Sequence, residues 1–597
     1  MDNTIIITER LAKLRKKMED SNIALTVIPH ADPHQSEYMA RHWHVREFFS
    51  GFNGSAGTLV VTADDAALWT DSRYFLQAGL QLEGTGIRLM KEGLPSTPTI
   101  AQYIAGNLKS GQTVGIDGML LSINAAAELK SELHRHGIKL DDNFKPAQDI
   151  WTDRPELPAD KVFIHLEKYA GESAKSKIAK ILAEVAKENA ESTFISALDA
   201  IAWTLNLRGN DVKYNPVFTA FLYLSHTGSV LFIEDAKLTD DVKSYLADNG
   251  VATQPYGEAA AFLAALPEGE RVLADPASTS SAMLSALGNR LVCAQSPVAL
   301  MKGVKNPVQQ KGIHEAMVRD GVALVKSIME IQRRLKSGER LTETGVGKIL
   351  THFRSQSPMY FDDSFGTIAG YRGHGAIVHY EAEEATESVL EPSGLLLIDS
   401  GAQYLDGTTD ITRTISLGNP TAEERHDFTL VMKGHIALGS AIFPEGTRGD
   451  QLDALARQFL WKEGKTYLHG TGHGVGHFLN VHEGPQSIRL NHVPTGLQPG
   501  MLTSNEPGLY ITDKYGIRCE NLVLTIDAFE TEFGRFLQFE TMTLFPFDLN
   551  LFDTSIMTDK EIEWLNNYHA RVREELTPLL SADEAAWLAD ATKPLTR

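Results

Sequence analysis

Apolar residues recur at intervals of three and four positions in several stretches of the chain. Residues 8–20 carry Leu11, Leu14 and Met18 at this spacing, with lysine and arginine between them. Residues 313–337 repeat the same kind of apolar face over a longer stretch. Both patterns are typical of amphipathic helices. The tail from Thr558 onward is predicted to form one more helix, which begins at a threonine cap.

Alternating and short apolar runs predict strands, and they occur in a repeated arrangement. Residues 48–75 are predicted to form a glycine-rich turn followed by two strands. Residues 197–212 contain a helix and a Gly/Asn loop, and they lead into two strands between 218 and 235. A helix, a loop and a hairpin therefore occur twice, which predicts two related α/β domains.

Two linker-like segments divide the chain into three predicted domains. One is the Pro-rich and acidic stretch 153–160, and the other is 302–312. The predicted domains are residues 1–155, 156–308 and 309–597. Most of the residues that could carry chemistry lie in the third domain.

Composition and charge exclude several classes of protein. The chain has 597 residues, 43% hydrophobic and 22% charged, which are ordinary values for a globular protein. Its net charge of −21 disfavours partners with a phosphate backbone and anionic membrane surfaces. Only two cysteines occur, so a disulfide framework and a cysteine-rich zinc site are excluded.

Targeting signals are not predicted. No apolar run reaches the ~18 residues that a transmembrane helix needs. The first twenty residues mix acids with bases and have no apolar segment of the signal-peptide type. We therefore expect a cytoplasmic protein, without nucleic acid or membrane as a partner.

Acidic and histidine residues cluster between positions 395 and 525, at the ends of predicted strands. Asp399 ends an apolar run, and Asp410 lies on one face of a Thr/Ile strand together with Thr412. The segment 467–485 contains four histidines and five glycines. Two further strands carry the acids Glu506 and Glu520.

These residue types together predict a metal site. Buried carboxylates must be paired or must coordinate a cation. A set of four carboxylates and one imidazole, without a thiolate, favours Mn, Co, Fe or Zn. The same set disfavours a structural zinc site. Four negative charges are balanced by two divalent ions. A hydroxide bridging the two ions, ~3.5–4 Å apart, would then be the nucleophile.

The order Asp, Asp, His, Glu, Glu resembles the metallopeptidases of the pita-bread fold and, among them, the Xaa-Pro aminopeptidases (aminopeptidase P). The strings that carry the resemblance are GAIVHY, LIDSGAQYLDGTTDITRT, YLHGTGHGVG, LNVHEGP, NEPG and GIRCEN. Outside this part, SGFNGSAGT, LWTDSRYF, ALDAIAWTLNLRGNDV and LNNYH resemble the long, three-domain form. The resemblance implies two N-terminal α/β domains, similar to creatinase, before an α+β pita-bread catalytic domain with a helical extension.

The resemblance also implies roles for individual residues. Asp399 matches a ligand of one metal ion, His473 and Glu506 match ligands of the other, and Asp410 and Glu520 match the two bridging carboxylates. The remaining matches are catalytic: His379 to the family's proton-shuttling histidine, His469 and His482 to two further active-site histidines, and Arg518 to an arginine that holds Asp399. Glu506 is also expected to pass a proton from the water to the leaving nitrogen.

The implied activity is hydrolysis of the bond between any N-terminal residue and a penultimate proline, in a homodimer with two Mn²⁺ per subunit (Co or Zn as alternatives). Prolidase shares the fold but accepts only dipeptides. Methionine aminopeptidase lacks a counterpart of the first ~310 residues. A creatinase-type hydrolase without metal, or a metal-free binding module, lacks the full ligand set.

Three positions depart from the family pattern: His374 where Asn is common, Leu509 where Tyr is common after Pro-Gly, and Cys519 where Ile or Leu is usual. They bear on the shape of the pocket rather than on the ligand set. The N-terminal domains carry no catalytic set of their own, and the resemblance implies that they lie around the catalytic cleft and at the dimer contact, where they would limit access. Arg73 and Arg208 are candidates for contacts there.

Overall fold

A computed structural model describes residues 3–597 of the chain, with side chains from residue 4. The chain forms two compact units. The first unit comprises the residues up to 165 together with 172–298, and the second comprises 166–171 and 299–597. Within the described residues, no helix combines the length and the apolar character needed to cross a bilayer.

The helices include those that the sequence pattern predicts at both ends of the chain. Residues 313–337 lie in a helix that begins six residues earlier than predicted, because Asn306 caps it and Pro307 occupies its first position. Most of the predicted linker 302–312 is therefore helical rather than a loop. The domain boundary expected at 308 stays a prediction. In chain order the helices are α1 (Asn3–Asp20), α2 (Val45–Ser50), α3 (Phe75–Gln81), α4 (Ile100–Asn107), α5 (Ile123–Arg135), α6 (Glu167–Ala170), α7 (Ala174–Lys187), α8 (Leu198–Leu205), α9 (Asp240–Asp248), α10 (Ala259–Ala265), α11 (Ser281–Leu287), α12 (Pro297–Gly303), α13 (Pro307–Ser337), α14 (Glu343–Arg354), α15 (Ala422–Gly439), α16 (Gly449–Trp461), α17 (Asp559–Leu576) and α18 (Ala582–Ala591).

The first unit contains two mixed six-stranded sheets, with strand orders β4-β3-β2-β1-β5-β6 and β12-β11-β10-β8-β13-β14. A separate short pair joins β7 to β9. The strands are β1 (Leu25–Pro29), β2 (Thr58–Thr62), β3 (Ala66–Thr70), β4 (Arg88–Lys91), β5 (Thr113–Gly115), β6 (Lys139–Asp141), β7 (Phe163–Ile164), β8 (Ser192–Ile195), β9 (Leu207–Arg208), β10 (Phe221–Ser225), β11 (Ser229–Phe232), β12 (Val251–Gln254), β13 (Val272–Ala274) and β14 (Leu291–Cys293).

The two sheets repeat one topology strand for strand. In the first, β1 pairs antiparallel with β2, β2 antiparallel with β3, and β3 parallel with β4. In the second, β8, β10, β11 and β12 repeat these three relations in order. The remaining strands extend each sheet by two parallel pairings on the other side. The prediction of two related α/β folds, made from the repeated pattern, is confirmed.

The second unit contains a six-stranded sheet of order β21-β28-β27-β24-β22-β23 and a three-stranded sheet of order β16-β17-β20. A second three-stranded sheet joins β15, β18 and β19, and a two-stranded sheet joins β25 with β26. The strands are β15 (Tyr360–Asp363), β16 (Ile368–Tyr371), β17 (Leu395–Ser400), β18 (Ala402–Tyr404), β19 (Gly407–Thr408), β20 (Ile411–Ser416), β21 (Ile442–Pro444), β22 (Gly472–Gly474), β23 (Glu483–Ile488), β24 (Leu502–Asn505), β25 (Gly508–Ile511), β26 (Tyr515–Arg518), β27 (Asn521–Thr531) and β28 (Gly534–Thr541).

Backbone approach between the elements of the second unit depends on glycine at one junction. A side chain at Gly516 in β26 would place its Cβ 1.6 Å from the carbonyl oxygen of Gly375. Gly370 in β16 faces the same turn, with Gly375 Cα 2.6 Å from the position that a Cβ would take. Contact this close is possible only without Cβ atoms, so these glycines hold β16 and β26 against the turn at 372–376.

Candidate metal centre

Strand register brings four acidic residues to one place in the second unit. Asp399 lies in β17 and pairs with Thr412 of β20, whose first residue directly follows Asp410. Asn505 at the end of β24 pairs with Asn521 at the start of β27, so Glu506 and Glu520 flank the same end of this pair. The backbone N–H of Glu520 donates to the carbonyl of Thr412 at 3.2 Å, which joins the two sheets.

His473 lies in the short strand β22 and faces these acids. Its Nε2 is 3.5 Å from Asp410 Oδ2 and 3.4 Å from Glu506 Oε1. Asp410, His473 and Glu520 each offer one ligand atom, and these atoms lie within 4.8 Å of one another. The Nδ1 atom lies 2.9 Å from the carbonyl oxygen of Gly474, which can only accept, so Nδ1 carries the hydrogen. In the neutral ring, Nε2 then presents a lone pair towards the carboxylates.

Burial, together with the charges of neighbouring acids, raises the pKa values of Asp410, Glu506 and Glu520. Burial first, and then the charges of Asp399 and Glu506, raise the pKa of Asp410 well above its ordinary value. The pKa of Glu520 is raised in the same direction by burial and by its acidic neighbours. Burial also raises the pKa of Glu506 to about 7, against the opposing charge of Arg518. The cluster therefore needs positive charge, either as protons or as cations.

The donor set fits divalent metal ions. Asp399 Oδ1 and Glu520 Oε1 are both buried, and neither has a hydrogen-bond partner in the described part of the chain. Native proteins rarely leave buried carboxylate oxygens unsatisfied, so each orphaned oxygen indicates a ligand. Together with the lone pair of His473, four hard oxygen donors and one imidazole suit the metals that the sequence predicts.

Arg518 and Thr412 hold the acids from behind. Arg518 Nη2 donates to Asp399 Oδ2 at 2.6 Å, and its Nε donates to Thr412 Oγ1 at 3.1 Å. Thr412 Oγ1 in turn donates to Glu520 Oε2 at 2.7 Å. The Thr412 hydroxyl thus links Arg518 to the carboxylate of Glu520, which orients both Asp399 and Glu520.

The histidines of the predicted catalytic set lie around this cluster. The ring of His482 is 4.4 Å from that of His473 and 6.4 Å from that of His379, measured between centroids. The Nε2 of His469 is 2.8 Å from the hydroxyl of Tyr510. The structure therefore brings together every metal-ligand and catalytic candidate that the sequence names.

Tyr510 belongs to the site, although the sequence argument did not select it. Its hydroxyl accepts a hydrogen bond from Arg518 Nη1 at 2.7 Å and also contacts His469. Burial raises its pKa to about 12. Leu509, the position expected to bear on the shape of the pocket, is buried in the core. Alternation along β25 turns the side chain of the next residue, Tyr510, towards Arg518.

A buried cation, Arg413, lies behind the acids and was also missed. Its guanidinium donates to the carbonyl of Glu520 and, at 2.8 Å, to Asn521 Oδ1. It also donates at 3.0 Å to the hydroxyl of Tyr568 on α17, and it lies 3.8 Å over the ring of Phe547. The sequence signal was a charged residue among the isoleucines of β20. Arg413 ties β20 and the start of β27, which directly follow Asp410 and Glu520, to α17.

Three further residues named from the sequence are Cys519, Arg73 and Arg208. Cys519 is fully buried between Arg518 and Glu520. In the first unit, Arg73 pairs with Asp71 at 2.8 Å, and Arg208 is 2% exposed and donates to backbone carbonyls. Their proposed contacts across a cleft stay a prediction, but Arg208 is not the solvent-exposed residue of a surface salt bridge.

Protein-family models match almost the whole chain. Two matches to the Creatinase/Prolidase N-terminal domain cover residues 10–150 and 153–309. Residues 311–527 match Metallopeptidase family M24, and residues 535–595 match the C-terminal region of peptidase_M24.

Full-length relatives and one solved structure agree with these matches. The chain is 40% identical to Aminopeptidase P2 of Arabidopsis thaliana, with 99% of this chain and 89% of that protein covered. It is 41% identical to a Laccaria bicolor protein named Probable Xaa-Pro aminopeptidase P, with 99% and 94% covered. The X-prolyl aminopeptidase of Caenorhabditis elegans, described as a cytosolic enzyme with a di-nuclear active site, superimposes with a TM-score of 0.95 at 35% identity, covering 99% and 100%. The predicted fold class, creatinase-like domains before a pita-bread domain, is confirmed.

Proposed function

The chain belongs to metallopeptidase family M24, and we propose that within this family it removes the N-terminal residue from peptides whose second residue is proline. The observation that supports this most is the convergence of Asp410, His473 and Glu520 within 4.8 Å, with Asp399 and Glu506 beside them. The names of the relatives supply the specificity for proline.

The five residues would hold two divalent ions, with Mn²⁺ as the first candidate. Asp399 would serve one ion, His473 and Glu506 the other, and Asp410 and Glu520 both. A pair of divalent ions supplies a hydroxide nucleophile at neutral pH and polarises the scissile carbonyl. The chain's own residues then have to bind the peptide, hold it in register and move protons.

Glu506 is the candidate for proton transfer. Its carboxyl Oε1 lies 3.4 Å from His473 Nε2, beside the proposed ions, where a carboxylate can take a proton and return it. The Ser504 hydroxyl donates to Glu506 Oε1 at 3.1 Å and fixes the orientation of the carboxyl. The acceptor for this proton is the leaving proline nitrogen, which carries no hydrogen while the peptide bond is intact.

His379 and His482 would face the substrate carbonyl from one side of the cluster. Their rings lie nearly parallel, 6.4 Å apart, with an interplanar angle of 21°. A donor placed where charge develops stabilises the transition state more than the ground state. His469, Tyr510 and Arg518 line the other side and keep Asp399 in place.

We also propose a division into three domains at 155 and 308, with the two N-terminal folds restricting access to the site. We include in this proposal a homodimer, whose formation light scattering would test. Prolidase is the alternative within the same fold, and the long N-terminal part favours the aminopeptidase.

The decisive experiment measures release of the N-terminal residue from Xaa-Pro peptides between two and about ten residues long. Each peptide is paired with a control that has alanine in second position. The enzyme is metal-stripped and then reloaded with Mn²⁺, Co²⁺ or Zn²⁺. We expect cleavage of long and short proline peptides only after reloading. Cleavage of dipeptides alone would indicate prolidase, and full activity without metal would refute the proposal.

A further inference from the structure

The segment that carries His379 has almost no secondary structure of its own. After β16 the chain makes a short 3₁₀ turn at Arg372–Ala376, and residues 377–394 then run without a helix or a paired strand until β17. The one exception is an isolated bridge between Val389 and Thr342. Strand register therefore cannot hold His379 in place, and other contacts must do so.

One buried carboxylate collects hydrogen bonds from this whole segment. Glu343 is the first residue of α14, directly after the cap Thr342, and its side chain is completely buried. Its Oε1 accepts from the backbone N–H of Tyr371 at 2.8 Å. Its Oε2 accepts from the Tyr380 hydroxyl at 2.9 Å and from the Ser388 N–H at 2.7 Å.

A fourth donor completes the set and comes from the same segment. His374 Nδ1 lies 3.0 Å from both carboxylate oxygens of Glu343. The His374 ring packs on the ring of Tyr380, with centroids 4.6 Å apart. The four donors are spread along residues 371–388: one at the start, one in the 3₁₀ turn, one next to His379 and one at the end. The side chain of Glu343 therefore holds the segment at four points.

The location of Glu343 separates this role from the metal centre. It accepts nothing from the acids or from His473, and its partners are 28 to 45 positions away in sequence. Its other neighbour, Thr344, also binds the segment, through a hydrogen bond to Glu387 at 3.1 Å. The start of α14 is therefore a docking point for the segment, and Glu343 supplies its central contact.

We propose that Glu343 is a positioning residue for His379, which acts by holding segment 371–388 against the start of α14. The inference rests on the proposed function, because it assigns Glu343 to the histidine that would face the substrate. Tyr380, the neighbour of His379, transmits the position, since its ring is packed on His374 and its hydroxyl is bound to the carboxylate. The negative charge of Glu343 matters because four donors converge on its two carboxylate oxygens. The amide of a glutamine in its place would have only one oxygen that can accept.

A double-mutant cycle tests whether Glu343 acts through His379. Glu343→Gln should lower kcat roughly 10–100-fold, because small misplacements of a catalytic group have effects of this size. KM and the metal content should stay near their wild-type values. In a His379→Ala background the same change should cost less than about threefold. Equal losses in both backgrounds would overturn the proposal, since a merely structural role gives additive effects.

Two tyrosine variants provide a milder test with a matched control. Tyr380→Phe removes only the hydroxyl that reaches Glu343, whereas Tyr371→Phe removes a hydroxyl that donates to the Ser393 carbonyl instead. We expect Tyr380→Phe to lower kcat several-fold in the wild-type background and not in the His379→Ala background. Tyr371→Phe should leave kcat within twofold. If Glu343→Gln does not fold, this pair decides the question, and equal effects of the two variants would refute the proposal.

Hydrogen exchange separates failure of this inference from failure of the proposed function. Amides of residues 371–388 should exchange at least tenfold faster in Glu343→Gln, while those of β17 and β20 keep their protection. This readout needs no substrate. If the wild-type protein cleaves no Xaa-Pro peptide but the segment loses protection, only the proposed function fails. Unchanged protection would overturn the positioning role, whatever the activity.

Discussion

Two walls of the same site are held in different ways. The wall of acids is placed by strand register: Asp399 by its pairing in β17, and Glu506 and Glu520 by the pairing of β24 with β27. The wall that carries His379 has no such ladder, and Glu343 gathers its hydrogen bonds. The first is built from many backbone hydrogen bonds, and the second depends on one side chain.

The difference teaches where the site tolerates change. A ladder of backbone bonds is insensitive to most single substitutions, because each residue contributes one bond among many. A buried carboxylate with four donors is sensitive, because its removal takes away the acceptor that all four share. Substitutions in the acid wall should therefore act through charge and metal, whereas substitutions in the other wall should act through the position of a histidine.

The largest effect is expected from neutralising an acid between the two proposed metal ions. Asp410→Asn and Glu520→Gln should each lose bound metal and reduce activity to that of the metal-stripped protein, because the amide removes charge that balances the ions. Elemental analysis and rate measurements check this. Glu540→Gln, on the strand paired with β27, is the control and should keep both. Wild-type metal content in either variant would contradict the bridging assignment.

Removing a histidine from the other wall should give the next largest effect. His379→Ala and His482→Ala should lower turnover by roughly 10²–10⁴-fold, the range for lost proton transfer or charge stabilisation. Both should keep full metal content. This outcome would sharpen the distinction between the walls. Loss of metal from either variant would instead make that histidine a ligand.

A smaller effect is expected from the hydroxyl that connects Arg518 with Glu520. Thr412→Val removes the donor to Glu520 and the acceptor for Arg518, and should weaken metal binding about 10–100-fold, as is usual for groups that orient ligands. Thr412→Ser keeps the hydroxyl and serves as the matched control. Competition with a chelator of known affinity measures both. Equal affinities in the two variants would show that register alone orients the acids.

The smallest effect is a dependence of stability on pH through His374. The hydrogen bond to Glu343 raises the pKa of His374 above 6.5, while burial opposes the shift. A raised pKa in the folded state stabilises the protein below about 6.5 and loses this contribution as the pH rises through the raised value. Relative to His374→Asn, the wild-type protein should melt roughly one to two degrees higher at pH 5.5, and not at pH 9. The charged group facing this ring is Glu343, while burial and Glu343 raise the pKa of the Tyr380 hydroxyl, which stays neutral at both pH values.

The sequence allowed the acid wall to be predicted because its signals are local. Each acid adjoins an apolar strand, and the face that alternation assigns to Asp410 and Thr412 agrees with the contact of the Thr412 hydroxyl with Glu520. The pairing of Asp399 with the strand after Asp410 also follows from short separations in the chain.

The positioning groups could not be predicted, because their partners are distant in sequence. Glu343 looks like an ordinary acid in the first turn of a helix, where it would favour the helix dipole. Nothing near it in the chain indicates burial or four donors that are 28 or more residues away. Arg413 gave a weak signal, a charge among apolar positions, but its acceptors at 545, 546 and 568 come from a region more than 130 residues later.

The rate at which a thiol reagent labels Cys519 can report how often the strands of the acid wall separate. Burial raises the pKa of its thiol, whereas Cys293, the other cysteine of the chain, is exposed. In a Cys293→Ser variant, a thiol reagent can react only during moments when the strands around Arg518 and Glu520 separate. The labelling rate at different reagent concentrations then yields the frequency of those moments. Comparing the labelling rates of metal-loaded and metal-stripped protein would show how much less often these strands separate when the negative charges of the acids are balanced.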